Sequence, residues 1–179
     1  MTKLIYQFIY GLPFHTTLTL LALLYVFWHE LPKTYIGKYV RQRHLEKPLC
    51  YAAFLGWLIL MSYITIFSRG EGEATLSLMP FHQLRLVLNG ETIEILRSAW
   101  MNVLLFVPGG LLFSALLPRR WPLWIKAALT IIALICVSVS VEYLQWHFQL
   151  GQAETDDVLC NFSGVCLGLF ISMDHSAHL

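Results

Sequence analysis

Glu142, Gln145, Asp156, Asp157 and Asn161 lie close together in the last third of the chain, beside long apolar stretches. Carboxylates and amides in that setting can hold a hydrogen-bonding ligand, or work on it as an acid and base pair. An ionisable group in hydrocarbon costs on the order of 2.5 to 3.5 kcal/mol or more, so Glu142 is expected to face a protein interior and have a partner there. Ser138, Glu142, Gln145 and Gln149 are spaced by four, three and four, which puts them on one face of a helix. Asp157 and Asn161 are one turn apart on a second helix and continue down its face into Gly164 and Gly168. On a third, Asn102 precedes Phe106 and the helix-disrupting Pro108, Gly109 and Gly110.

The elements that must carry these residues are set by composition. Of 179 residues 57% are hydrophobic and 13% charged, too few ionisable groups to cover a water-exposed surface of this size. Lipid is the solvent this chain calls for. A bilayer core about 30 Å thick needs roughly 17 to 25 mainly apolar residues per helix. Five runs fit: 14–31, 49–67, 100–117, 123–146 and the shorter 158–173. Only Lys126 and Glu142 are formally charged inside them, and Lys126 lies near enough to its helix start to snorkel to the interface. Pro32, Pro48, Pro118 and Pro122 fall at or just beyond run ends, and Trp28, Trp100, Trp121, Trp124 and Trp146 sit near those ends as an interfacial belt would. Lys3 precedes an apolar run, but no small-residue cleavage site follows, so the first run is read as a retained helix. The expected fold is all-α, a single polytopic bundle of about five transmembrane helices over residues 1–179.

Lys and Arg number five in the first connection, three in the second, three around the third, and none in the fourth or the tail. By the positive-inside rule the first and third connections are cytoplasmic, which places the N-terminus outside and the C-terminus inside. The second connection and the 147–157 turn then share the outer face. In the second, Leu84, Leu86, Val87, Leu88, Ile93, Ile95 and Leu96 alternate with charges, predicting an amphipathic extracytoplasmic segment along the membrane surface. Asn89 and Gly90 mark a turn within it, and Thr92 is a candidate cap for a helix leading into the third run. Arg69, Arg85 and Arg97 are candidate partners for Glu142, and the Asn102 side chain or water could satisfy the carbonyl that Pro108 leaves without a donor.

Plainer readings stand beside these. Asn, Gln and Ser in spans serve as interhelical hydrogen-bond glue, and Gly164 with Gly168 is a small-xxx-small pattern for close packing. Three carboxylates at one depth are poor glue. Cys50, Cys136, Cys160 and Cys166 show no ligand spacing and read as core packing, while the seven histidines form no HxxE or HExxH pattern and read as interface residues. Glu142, Asp156, Asp157 and Asn161 offer oxygen ligands that Mg²⁺ or Ca²⁺ would accept, but the preferred reading has no metal and no cofactor. A formal net charge of +1 argues against nucleic acid as partner. No GxSxG, P-loop or dinucleotide pattern is present.

The string Asn102-Val-Leu-Leu-Phe106-Val-Pro108-Gly-Gly110 resembles the N-x-x-x-F-x-P-x-G element of the VanZ-like family. Glu142-Tyr-Leu-Gln145, followed by Asp156-Asp157-Val-Leu-Cys-Asn161-Phe-Ser-Gly164, resembles its E-x-x-Q and D-D-x-x-x-N-x-x-G elements, and Leu78-Met-Pro80-Phe81 its L-x-P-F element. The resemblance covers roughly residues 50–172. One departure is that Gly151 and Gln152 stand about where the family carries an arginine, a contact that Arg69 or Arg97 would have to supply. The resemblance implies a bacterial cytoplasmic-membrane protein of the cell envelope, in a family whose founding member confers low-level resistance to the glycopeptide teicoplanin. Three functions are then in play. The first is an outward-facing acidic pocket of Asn102, Glu142, Gln145, Asp156, Asp157 and Asn161 that binds a lipid-linked or amphiphilic envelope ligand, with Phe106, Pro108, Gly110, Gly164 and Gly168 as its structural frame. The second is an acid/base enzyme acting on such a lipid through Glu142 and Asp157. The third is a small ion or proton carrier, in which a homo-oligomer would make up for the few spans. The expected partners are the lipid bilayer and a lipid-linked envelope precursor or glycopeptide.

Overall fold

The computed structural model describes residues 30, 33–34, 37–38, 42, 44–67, 75–89 and 93–176, and the predicted first run, 14–31, lies outside them except for residue 30. Within this range α1 covers Glu46–Ser62 and passes into a π-helical turn, Tyr63–Phe67. After β1 (Thr75–Ser77) and the short α2 (His82–Leu88) come α3 (Ile93–Leu116) and α4 (Leu123–His147). The chain then makes β2 (Gln152–Glu154) and ends in α5 (Thr155–Ser176). Among the described residues three helices are long and apolar enough to cross a membrane: Glu46–Phe67, Ile95–Leu116 and Leu123–His147.

The local chemistry accounts for the boundaries. Glu46 places a negative charge in the first turn of α1, and Asp156 with Asp157 does the same for α5, each favourable at the positive end of a helix dipole. Pro122, extended at φ −61° and ψ 147°, precedes the first turn of α4, where its missing N–H removes nothing the helix would use. The end of α4 is a Schellman turn in which Leu150 N–H donates to the Gln145 carbonyl at 2.8 Å and Gln149 N–H to that of Trp146 at 3.3 Å. Gln149 occupies the left-handed position, with φ 54°. It is therefore exposed beyond the helix end, not on the Ser138, Glu142 and Gln145 face to which its spacing assigned it.

The second connection holds β1 and α2, while Ile93, Ile95 and Leu96 already belong to the first turn of α3. One further expectation is corrected. Pro108 does not interrupt α3, which runs continuously through it. The proline withholds the N–H that would reach the Leu104 carbonyl. One residue along, the Leu105 carbonyl accepts a bond from the indole Nε1 of Trp57 at 2.7 Å, so an aromatic donor from α1 serves the disturbed turn. Gly109 makes room for that indole, since a Cβ there would lie 2.5 Å from the ring.

Helix α3 is the hub of the bundle. Against α1 it packs aromatic rings, with Trp57 edge-on to Phe106 and Phe54 tilted against Phe113. Against α5 it packs backbone. A Cβ on Gly164 would overlap the Val103 carbonyl, one on Gly168 the Val107 carbonyl, and one on Gly110 the Val165 carbonyl. The core closes around Met61, Leu134, Val141, Val165 and Leu169. A parallel pairing of Leu76 with Ala153 and its neighbours fastens the second connection to the α4–α5 turn. The ends of α1 and α4 and the starts of α3 and α5 therefore share one end of the bundle.

Candidate functional site

The expected polar residues meet at this shared end, in levels set by the antiparallel run of α4 and α5. Deepest is the buried pair Ser138 and Asn161, whose amide donates to the hydroxyl at 2.9 Å. One turn toward the end on each helix stand Glu142 and Asp157, 9% and 6% exposed, so helix geometry brings the two carboxylates to one level. Glu142 Oε2 accepts the backbone N–H of Glu154 at 3.0 Å, which locks β2 onto α4. Gln145, 1% exposed, donates from Nε2 to the Thr65 carbonyl at 3.0 Å and so joins α4 to the π turn after α1.

Asp156 has a different task. Its two oxygens separately accept the backbone N–H groups of Phe81 at 2.5 Å and Gln83 at 2.7 Å, capping the start of α2. The carboxylate that sequence grouped with the ligand acids is thus occupied in holding the L-x-P-F turn. Asn102 is half-buried near the start of α3 and makes no side-chain hydrogen bond among the described residues. Arg85 and Arg97 are exposed and form no ion pair among those residues, so neither serves as the cation expected beside Glu142; Arg69 lies outside them. His147 stacks on Tyr143 and meets Phe148 edge-on at the surface.

Gln83 belongs to the site and was missed by the sequence reading. Its Nε2 donates to Glu154 Oε2 at 2.5 Å and to Asp157 Oδ1 at 3.2 Å. The available signal was a polar side chain in the first turn of the short helix that follows Pro80. Thr65 enters through its backbone carbonyl, and Glu154 through its backbone N–H as well as its carboxylate; no side-chain motif reveals the backbone contacts.

The hydrogen-bond inventory is one-sided. Buried Gln83 Oε1, Gln145 Oε1 and Asn161 Oδ1 have no partner among the described residues. For the two glutamines the orientation is fixed, because each nitrogen faces an oxygen that only accepts: a carbonyl for Gln145 and carboxylates for Gln83. Ser138 can serve in either role, so Asn161 is left short by its oxygen or its nitrogen. Carboxylates and orphaned amide oxygens together favour a ligand rich in donors, such as hydroxyl or ammonium groups. Among the described residues no three His, Cys, Asp or Glu side chains gather as a metal-holding group.

Long apolar helices enclosing a buried polar end define a membrane protein. A family model described as VanZ/LLP1 matches residues 49–174, and the chain belongs to that family. Searches of curated proteins and of solved structures gave no match. The match runs from α1 into α5 and takes in every residue of the polar end.

Proposed function

We propose that this chain is a bacterial cell-envelope protein of the cytoplasmic membrane, whose polar end binds the head group of a lipid-linked or amphiphilic envelope ligand. In this reading α1, α3, α4, α5 and the run at 14–31 are five spans, and the basic connections hold the polar end on the outer face. The observation that carries it is the oriented amide oxygen of Gln145, which has no partner among the described residues, at the end of the bundle where Glu142 and Asp157 are buried. Buried polar groups are satisfied in the great majority of cases, and an orphan next to carboxylates favours a donor-bearing ligand over packing alone.

The resemblance drawn from the sequence makes low-level teicoplanin resistance the phenotype to examine. Wild type, Glu142→Gln and Asp157→Asn are expressed at equal membrane level in a susceptible bacterium and challenged with teicoplanin and other envelope-directed agents. The expected result is a several-fold rise in the inhibitory concentration with wild type, lost in both variants. Equal protection by the variants would remove the carboxylates from the function. No protection by wild type would remove resistance from it.

A further inference from the structure

The connection that Asp156 holds turns several large apolar side chains outward. Leu78 is 71% exposed, Met79 62%, Phe81 57% and Leu88 70%. Phe81 has φ 60°, a left-handed conformation that an aromatic L-residue enters only under constraint. The constraint is visible: a buried carboxylate takes the amides of Phe81 and Gln83, Gln83 reaches back to Asp157 and Glu154, and the Thr155 hydroxyl donates to the Ser77 carbonyl. A buried charge and a strained residue are thus used to keep large apolar groups turned away from the protein.

We propose that the stretch from Leu76 to Leu88 is a clasp seated in the bilayer, its apolar side chains in the headgroup and acyl boundary of the leaflet at the polar end, and its polar groups fastened to α5. Continuity of surface selects lipid as the occupant. At the same end Tyr63 and Phe67 after α1, and Tyr143, Trp146 and Phe148 at the end of α4, are also exposed, an aromatic rim of the kind that lies at membrane interfaces. The pairing of β1 with β2 holds the clasp at the same end as that rim. Arg85, exposed on α2, is long enough to reach lipid phosphates from this depth. The clasp requires no assignment of the ligand and no choice of leaflet.

The test places a single nitroxide label in a background where Cys50, Cys136, Cys160 and Cys166 are alanine. Labels at Met79→Cys and, in a second protein, Leu78→Cys are compared with Gln152→Cys, an exposed polar position on β2 at the same end. Each protein is reconstituted in phosphatidylcholine–phosphatidylglycerol vesicles, and the label's collisions with oxygen and with a water-soluble nickel chelate are measured. Oxygen dissolves in the acyl region and the chelate does not. The clasp positions are expected to give an oxygen-to-chelate ratio several-fold above that of Gln152→Cys. A ratio equal to the control would put the clasp in water, and low access to both reagents would mean that protein, such as a second copy of the chain, covers it. Either result overturns the proposal.

Discussion

The two ends of the bundle hold their charges in opposite ways. At the polar end Glu142, Asp156 and Asp157 are buried; Glu142 accepts a backbone amide from β2, and Asp156 accepts two from the turn into α2, more than seventy residues away. At the other end Arg119, in the α3–α4 turn, meets Glu46 at the start of α1 at 3.2 Å, with side chains 79% and 38% exposed. An exposed ion pair trades water contacts for a screened attraction and gains little. A buried carboxylate that organises backbone cannot be removed without stranding the donors it served. Charge at one end holds a shape, and at the other it decorates a surface.

The largest expected effect tests the first half of that contrast. Asp156→Ala strands the Phe81 and Gln83 amides, each part-buried, and orphaned donors cost about 1 to 3 kcal/mol apiece, so the loss should be about 2 to 5 kcal/mol. Because the amides use separate oxygens, Asp156→Asn keeps one acceptor and should lose roughly half as much. Denaturant-induced unfolding in detergent micelles would measure both. A cost below about 1 kcal/mol for the alanine variant would put Asp156 in the same class as the exposed pair.

How much of this was legible in the sequence follows from the same division. The runs at 49–67, 123–146 and 158–173 fall within helices, and 100–117 overruns its helix by one residue, because lipid-facing length and composition are local properties. Ser138, Glu142 and Gln145 could be placed on one face by spacing alone, and the structure buries all three. Gln149 escaped because a helix end is decided by backbone hydrogen bonds, and nothing in a glutamine announces a left-handed turn. Trp57 could not be paired with the Pro108 region, since its bond to the Leu105 carbonyl joins residues on different helices. Gln83 and the division of labour between Asp156 and Asp157 depended on the pairing of β1 with β2, which brings the second connection over the start of α5. Three-residue strands carry too little pattern to be read in advance.

A smaller effect of opposite sign sharpens the picture of the polar end. Gln149 occupies the Schellman position that glycine takes without penalty, and a left-handed L-residue costs about 1 to 2 kcal/mol. Gln149→Gly should therefore stabilise the protein by about 1 kcal/mol, less whatever the unfolded chain gains in freedom. The side chain is exposed and outside the polar cluster, so protection in the resistance assay should be unchanged. A destabilised Gln149→Gly protein would mean that the side chain anchors the turn through contacts of its own.

The smallest effect belongs to the end opposite the polar cluster and is read from a double-mutant cycle. Arg119→Ala, Glu46→Ala and the double variant should give a coupling of about 0 to 1 kcal/mol that shrinks as salt is raised. Glu46 also sits in the first turn of α1, so Glu46→Ala should cost a few tenths of a kcal/mol more than Arg119→Ala through the helix dipole, which the cycle separates from the pair itself. Interfacial lipid could strengthen the pair by lowering the local dielectric. A coupling above about 2 kcal/mol in vesicles that is absent in detergent would mean that lipid covers this end, and the ion pair would then join Asp156 among the charges that hold helices together.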